Sequence, residues 1–136
     1  MIEEPVTPEV AGREMFRRTI APLLAGYWAF GQYWGVWVIL VYEIQRDNRI
    51  SNAGIGARYT LLSGSAVLVM LLVAPRLQRF PLSTTVPGSL LWLAVAAALM
   101  ALLPAGGLLL AFAAVGVGNG LIDVYLNVAA QRVESP

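Results

Sequence analysis

Four polar side chains near the end of the chain, Asn119, Asp123, Asn127 and Gln131, recur every four residues within an apolar run. At about 100° per residue each step advances roughly 40°, so a helix would carry them as one spiralling stripe about 120° wide over three turns. A stripe of that kind is not expected to face lipid. Asp123 is the only acidic residue well inside any apolar stretch. An aspartate near a bilayer centre costs about 2.5–3.5 kcal/mol on insertion scales, so an ionisable group there points first to function. A carboxyl that exchanges protons within the membrane is what proton-coupled transport requires. A structural aspartate, hydrated near the interface or tied to a neighbouring Asn or Arg, is the other reading of the same residue.

Just before the stripe, Gly116 and Gly120 form a G-x-x-x-G spacing that lets another helix backbone approach closely, and helix packing is the role expected of them. Seven of the thirteen aromatics fall in the first apolar stretch: Tyr27, Trp28, Phe30, Tyr33, Trp34, Trp37 and Tyr42. Tyr and Trp normally mark membrane interfaces, but Tyr33, Trp34 and Trp37 lie mid-stretch beside Gln32. They could line a cavity and stack on a planar or ring-shaped solute, or simply pack. Gln32 is the better cavity candidate, because an amide is poorly tolerated in hydrocarbon. Glu43, Arg46 and Asp47 read as a solvated helix end.

Composition limits what these residues can be. The 136 residues are 58% hydrophobic and 12% charged, with no Cys and no His. Soluble chains are roughly 45–50% apolar and about 25% charged, which places this one among multi-pass membrane proteins. Without His or Cys, most metal sites, thiol chemistry and His-based triads drop out, and no enzyme, cofactor or metal is expected. All nine basic residues are Arg and form no run that could follow a phosphate backbone, so nucleic acid is not an expected partner. The bilayer is.

Residues 1–18 read as a cytoplasmic tail ending in Arg13, Arg17 and Arg18, without the features of a cleaved signal peptide. Residues 19–136 then hold four apolar segments, expected as transmembrane helices at about 19–42, 53–74, 86–103 and 108–130. Ser51 or Asn52 is placed to cap the second, and Pro87 suits the first turn of a short third helix. The third, with only the Trp92 indole as a polar group, is expected at the periphery. Pro104 to Gly107 allows only a tight turn, making helices three and four an antiparallel pair. With the N-terminus inside, six Arg (13, 17, 18, 76, 79 and 132) lie in the cytoplasm and three (46, 49 and 58) outside, which favours both termini cytoplasmic.

The run GVGNGLIDVYLNVAAQRVE resembles the fourth helix of the major facilitator superfamily, in the branch containing fucose permease-like sugar transporters. Gly31, Trp37, Glu43-Ile-Gln and the Ser-Asn-Ala-Gly-Ile-Gly run from Ser51 are similar to that branch's first helix and outer loop. Ala74-Pro-Arg-Leu-Gln-Arg-Phe-Pro81 sits where the superfamily has its cytoplasmic loop motif; Arg76 and Arg79 supply basic residues, and Gln78 stands in place of the family's Asp. The resemblance implies an all-α membrane protein of the bacterial inner membrane, corresponding to the first four of the family's twelve helices and so to an incomplete N-terminal half. It implies a pathway for substrate and protons through Asp123 and Asn127, with Asn119, Gln32, Tyr33 and Trp37 beside it. Remaining carrier helices or self-association would complete it, and the solute would be small and sugar-like. The competing expectation is a small four-helix membrane protein with an assembly role, or an inactive truncated fragment.

Overall fold

The computed structural model describes residues 8–77 and 79–134, apart from the side chains of residues 8–11, 19, 77 and 132–134. Nearly all of them are helical. Helix α1 (Pro8–Met15) passes through a π turn (Phe16–Ile20) into α2 (Ala21–Asp47); α3 (Asn52–Leu72), the single turn α4 (Ala74–Leu77), α5 (Leu82–Leu102) and α6 (Leu108–Glu134) follow. The stretch from residue 8 to residue 18, read from the sequence as a tail, therefore continues the first long helix. Pro22 explains the π turn. It has no N–H for the Arg18 carbonyl and its ring would press on that oxygen, so the helix widens. The Ala21 N–H donates to the Phe16 carbonyl, five residues back.

Helix α2 ends where Arg49 takes a left-handed conformation, φ 51°, and the Ile50 N–H reaches back to the Gln45 carbonyl at 3.0 Å. Of the two candidate caps for α3, Ser51 serves: its hydroxyl oxygen accepts from the Gly54 N–H at 3.1 Å. Ser51→Ala should cost about 1 kcal/mol, seen as faster hydrogen exchange at the Gly54 amide with little change deeper in α3.

The third apolar segment is a full-length helix of 21 residues, starting earlier than the sequence suggested. The Pro81 carbonyl accepts from the N–H groups of Thr84 and Thr85, so the helix begins at Leu82 and Pro87 lies inside it instead of in its first turn. The Gly107 N–H donates to the Pro104 carbonyl at 2.8 Å and closes the turn between α5 and α6.

Among the described residues, three helices are long and apolar enough to cross a membrane: Asn52–Arg76, Leu82–Leu102 and Leu108–Gln131. The first apolar segment is not one of them. It is uncharged from Ala21 to Tyr42, but Gln32, the glycines and the indole and phenol rings reduce its hydropathy.

Helix α6 occupies the middle, packed extensively against α3 and α5 and more sparsely against α2. Two adjacent α6 carbonyls accept side-chain donors from opposite neighbours. The Ser65 hydroxyl of α3 donates to Ala113 O at 3.0 Å, and the Trp92 indole of α5 donates to Ala114 O at 2.8 Å. Each carbonyl uses its second lone pair. Helix α5 also buries Leu93, Ala96 and Met100, so it is packed into the bundle along one face despite its nearly uniform apolarity. Trp92→Phe keeps the ring and removes the donor; it should lower stability in micelles by about 1 kcal/mol, read from the thermal midpoint.

Candidate functional site

The polar stripe of α6 starts buried at Asn119 and is exposed at Asp123 and Asn127. Gly116 and Gly120 are aimed at α3: a Cβ on Gly116 would fall 2.1 Å from Leu62 O, and one on Gly120 would fall 2.5 Å from Ala66 O. At the other side α6 meets α2, where a Cβ on Gly26 would be 2.9 Å from Leu126 Cδ2. At about 100° per residue, Asp123 lies on the arc between these two contacts, and Asn127 falls in line with the glycines, about two turns beyond Gly120. Helices α2 and α3 make no extensive contact with each other, and both polar side chains are exposed.

They are linked there. The Asn127 amide N–H donates to the Asp123 backbone carbonyl at 2.8 Å and lies 3.4 Å from the Asp123 carboxylate. The Tyr27 hydroxyl of α2 reaches the Asn127 carbonyl oxygen at 3.4 Å. The close approach at Gly26 brings Tyr27 within range.

One turn earlier, Asn119 is 6% exposed, and neither its amide nitrogen nor its oxygen has a hydrogen-bond partner among the described residues. The Tyr33 hydroxyl and the Trp37 indole nitrogen, on α2, are buried and unpartnered as well. Tyr33 and Asn119 interact, although not in hydrogen-bond geometry. Buried polar groups are normally satisfied; Tyr33 and Asn119 meet between α2 and α6, while the Trp37 indole lies among packed rings.

The aromatics around them form packed core. Trp37 is 1% exposed; its ring centroid lies 5.5 Å from Tyr33 and 5.7 Å from Phe112, which in turn lies 6.0 Å from Tyr59 of α3. Trp37 thus joins α2 to α6. Gln32 is exposed and falls roughly 140° around α2 from Tyr27 at about 100° per residue. It does not join the Asp123 cluster.

Arg76, in α4, donates back to the Leu72 carbonyl and so caps the end of α3, a favourable place for a cation. Arg79 is exposed, and Gln78 lies outside the described residues. At the far end of α2, Arg46 bonds to Asp47 at 3.2 Å and also pairs with Glu43. Its guanidinium is held above its ordinary pKa by the Asp47 hydrogen bond first and the Glu43 charge second. Among the described residues no group of His, Cys, Asp or Glu could hold a metal ion.

Tyr27, Ser65 and Trp92 are the contributors that sequence reasoning did not single out for these roles. Each acts across a separation of tens of residues, as Tyr27 does with Asn127, and no local spacing signals that. Comparison with family models, with curated proteins and with solved structures finds no match to this chain.

Proposed function

We propose that this chain forms part of a proton-coupled secondary carrier of the major facilitator type, moving a small sugar-like solute across a bacterial inner membrane. In this reading α2 is a fourth span and both ends lie in the cytoplasm. The observation that carries it is Asp123, the one acid within an apolar span, exposed and held by Asn127 with Tyr27 behind it. An exposed carboxylate on a membrane helix is the group that proton coupling requires. The buried Asn119 amide, Tyr33 hydroxyl and Trp37 indole hold both donors and an acceptor between α2 and α6, a combination suited to solute hydroxyls once α2 moves off α6. The test is uptake of labelled monosaccharides into vesicles containing the chain, driven by an imposed pH gradient. Gradient-dependent accumulation that requires Asp123 supports the reading; accumulation indifferent to Asp123 or to the gradient overturns it.

An assembly role is the second reading, favoured by one observation. Gly56 and Gly64 on α3 have no atom within 4 Å of a notional Cβ, leaving bare backbone on the face opposite the α6 contact. Further helices, from the rest of a carrier or from a second copy, would find close approach there. Mass measurement in micelles separates a monomer from a self-associated form.

A further inference from the structure

The face of α6 opposite Asp123 meets α5 across an unfilled space. At about 100° per residue, Leu121 and Tyr125 lie roughly 160° around α6 from Asp123. With Thr85, Gly88, Ser89 and Trp92 of α5 they line a cavity of about 210 Å³. Ser89 and Tyr125 are buried, whereas Gly88 and Trp92 are exposed and a Cβ on Gly88 would meet nothing within 4 Å. The cavity therefore has a buried wall and opens on the outside of the bundle. Along α5 it runs from roughly 5 Å to roughly 15 Å beyond Leu82, the depth of one leaflet in about 30 Å of hydrocarbon. Most of its polar groups are already paired. The Ser89 hydroxyl donates to the Thr85 carbonyl at 2.7 Å, the Thr85 hydroxyl to the Pro81 carbonyl at 3.3 Å, and the Trp92 indole to Ala114 O. The Tyr125 hydroxyl has no partner among the described residues, although the residue is 2% exposed, and buried polar groups are normally satisfied. The lining thus holds one uncommitted donor, on Tyr125, and two hydroxyl oxygens, on Ser89 and Thr85, that can still accept.

We propose that this cavity binds the hydroxyl end of a small amphiphile dissolved in the bilayer, whose tail lies among the lipid chains. The Tyr125 hydroxyl donates to the ligand oxygen, and the ligand O–H donates to the Ser89 or Thr85 hydroxyl oxygen. The Tyr125 oxygen is covered, and a small shift of its ring into the open space beside Gly88 brings it to the ligand. A hydroxyl satisfies both sides of the cavity; an ether oxygen accepts only, and a hydrocarbon does neither. The volume falls below the roughly 300–1,000 Å³ of a site for a drug-sized molecule, so the cavity encloses only the hydroxyl and the first carbons of the tail. The inference needs α5 and α6 to span the bilayer and nothing of the transport reading.

The test is photolabelling of the full chain in phosphatidylcholine vesicles with an octanol that carries a diazirine, with its methyl ether, and with the corresponding alkane, at equal concentrations in the bilayer. Labelled residues are located by peptide mass spectrometry, with labelling along α2 as the internal reference. The expected result is labelling concentrated on the α5–α6 lining. It should fall roughly fivefold from alcohol to ether and again from ether to alkane, one net hydrogen bond at each step. Tyr125→Phe should lower alcohol and ether labelling roughly fivefold and leave alkane labelling unchanged, which loss of the cavity itself would not do. Gly88→Leu, which puts a side chain into the open space, should remove all three probes from the lining. Equal labelling by the three probes, labelling spread evenly over the lipid-facing residues, or labelling of the lining that survives Gly88→Leu overturns the inference. An equal fall of all three probes in Tyr125→Phe overturns it as well.

Discussion

Replacing Gly116 with alanine should pull α3 away from α6 and destabilise the bundle by about 3 kcal/mol or more, at the upper end of overpacking costs. The added Cβ would lie 2.1 Å from both Leu62 O and Ser65 Oγ, and 2.9 Å from Leu62 C. Two of these atoms are backbone, so a rotamer change cannot relieve the clash; a helix must move. Moving it also breaks the Ser65 bond to Ala113 O. Gly120→Ala, facing Ala66 O at 2.5 Å and Ala66 Cα at 3.0 Å, should act in the same direction. Gly64→Ala is the control, because its notional Cβ meets nothing and alanine favours a helix by up to about 1 kcal/mol over glycine. Denaturation in mixed micelles followed by circular dichroism should separate the three. Equal midpoints for Gly116→Ala and Gly64→Ala would disprove the close α3–α6 contact.

Asp123→Asn carries the second large expected effect. The amide keeps the size of the side chain and can still meet Asn127, but it holds no exchangeable charge. Under the carrier reading, gradient-driven uptake should fall at least tenfold, an effect on the order of 1.4 kcal/mol or more on the coupled step. Helix content and membrane insertion should be unchanged, since the carboxylate is exposed and, among the described residues, its polar contact is to Asn127. Loss of insertion with Asp123→Asn would instead assign the residue a structural role. Tyr27→Phe should be milder, because the bond it removes is a long one at 3.4 Å.

Much of the architecture was legible locally. The run from Ala53 to Ala74 carries a single charge, Arg58 near its start, and is strongly apolar beyond Ser65, so its identity as a helix suited to a bilayer follows from backbone hydrogen-bond demand in hydrocarbon. The Ser51 cap and the Pro104–Gly107 turn follow from residue types with few conformational options. The start of α5 was misplaced because Pro81 and Pro87 both suit a helix entry, and only the pairing of the Pro81 carbonyl with Thr84 and Thr85 decides between them. The continuation of α2 back to Pro8 was hidden by charge, which marks solvent exposure without ending a helix.

At the site, the four-residue spacing of Asn119, Asp123, Asn127 and Gln131 determined by itself that they share a stripe, because helical pitch is a property of the backbone. The spacing of Gly116 and Gly120 likewise determined that they share a face. Only the tertiary structure decided what each position meets: α3 against the glycines, Tyr33 near Asn119, and an exposed surface at Asp123. It also separated Gln32 from that cluster and put Trp37 in the core beside Phe112. Periodicity is written into a single helix, whereas the neighbour a face finds depends on which distant surfaces fit its ridges and gaps. That fit arises here from a bare glycine opposite a carbonyl and an indole opposite another, contacts between residues far apart in the chain.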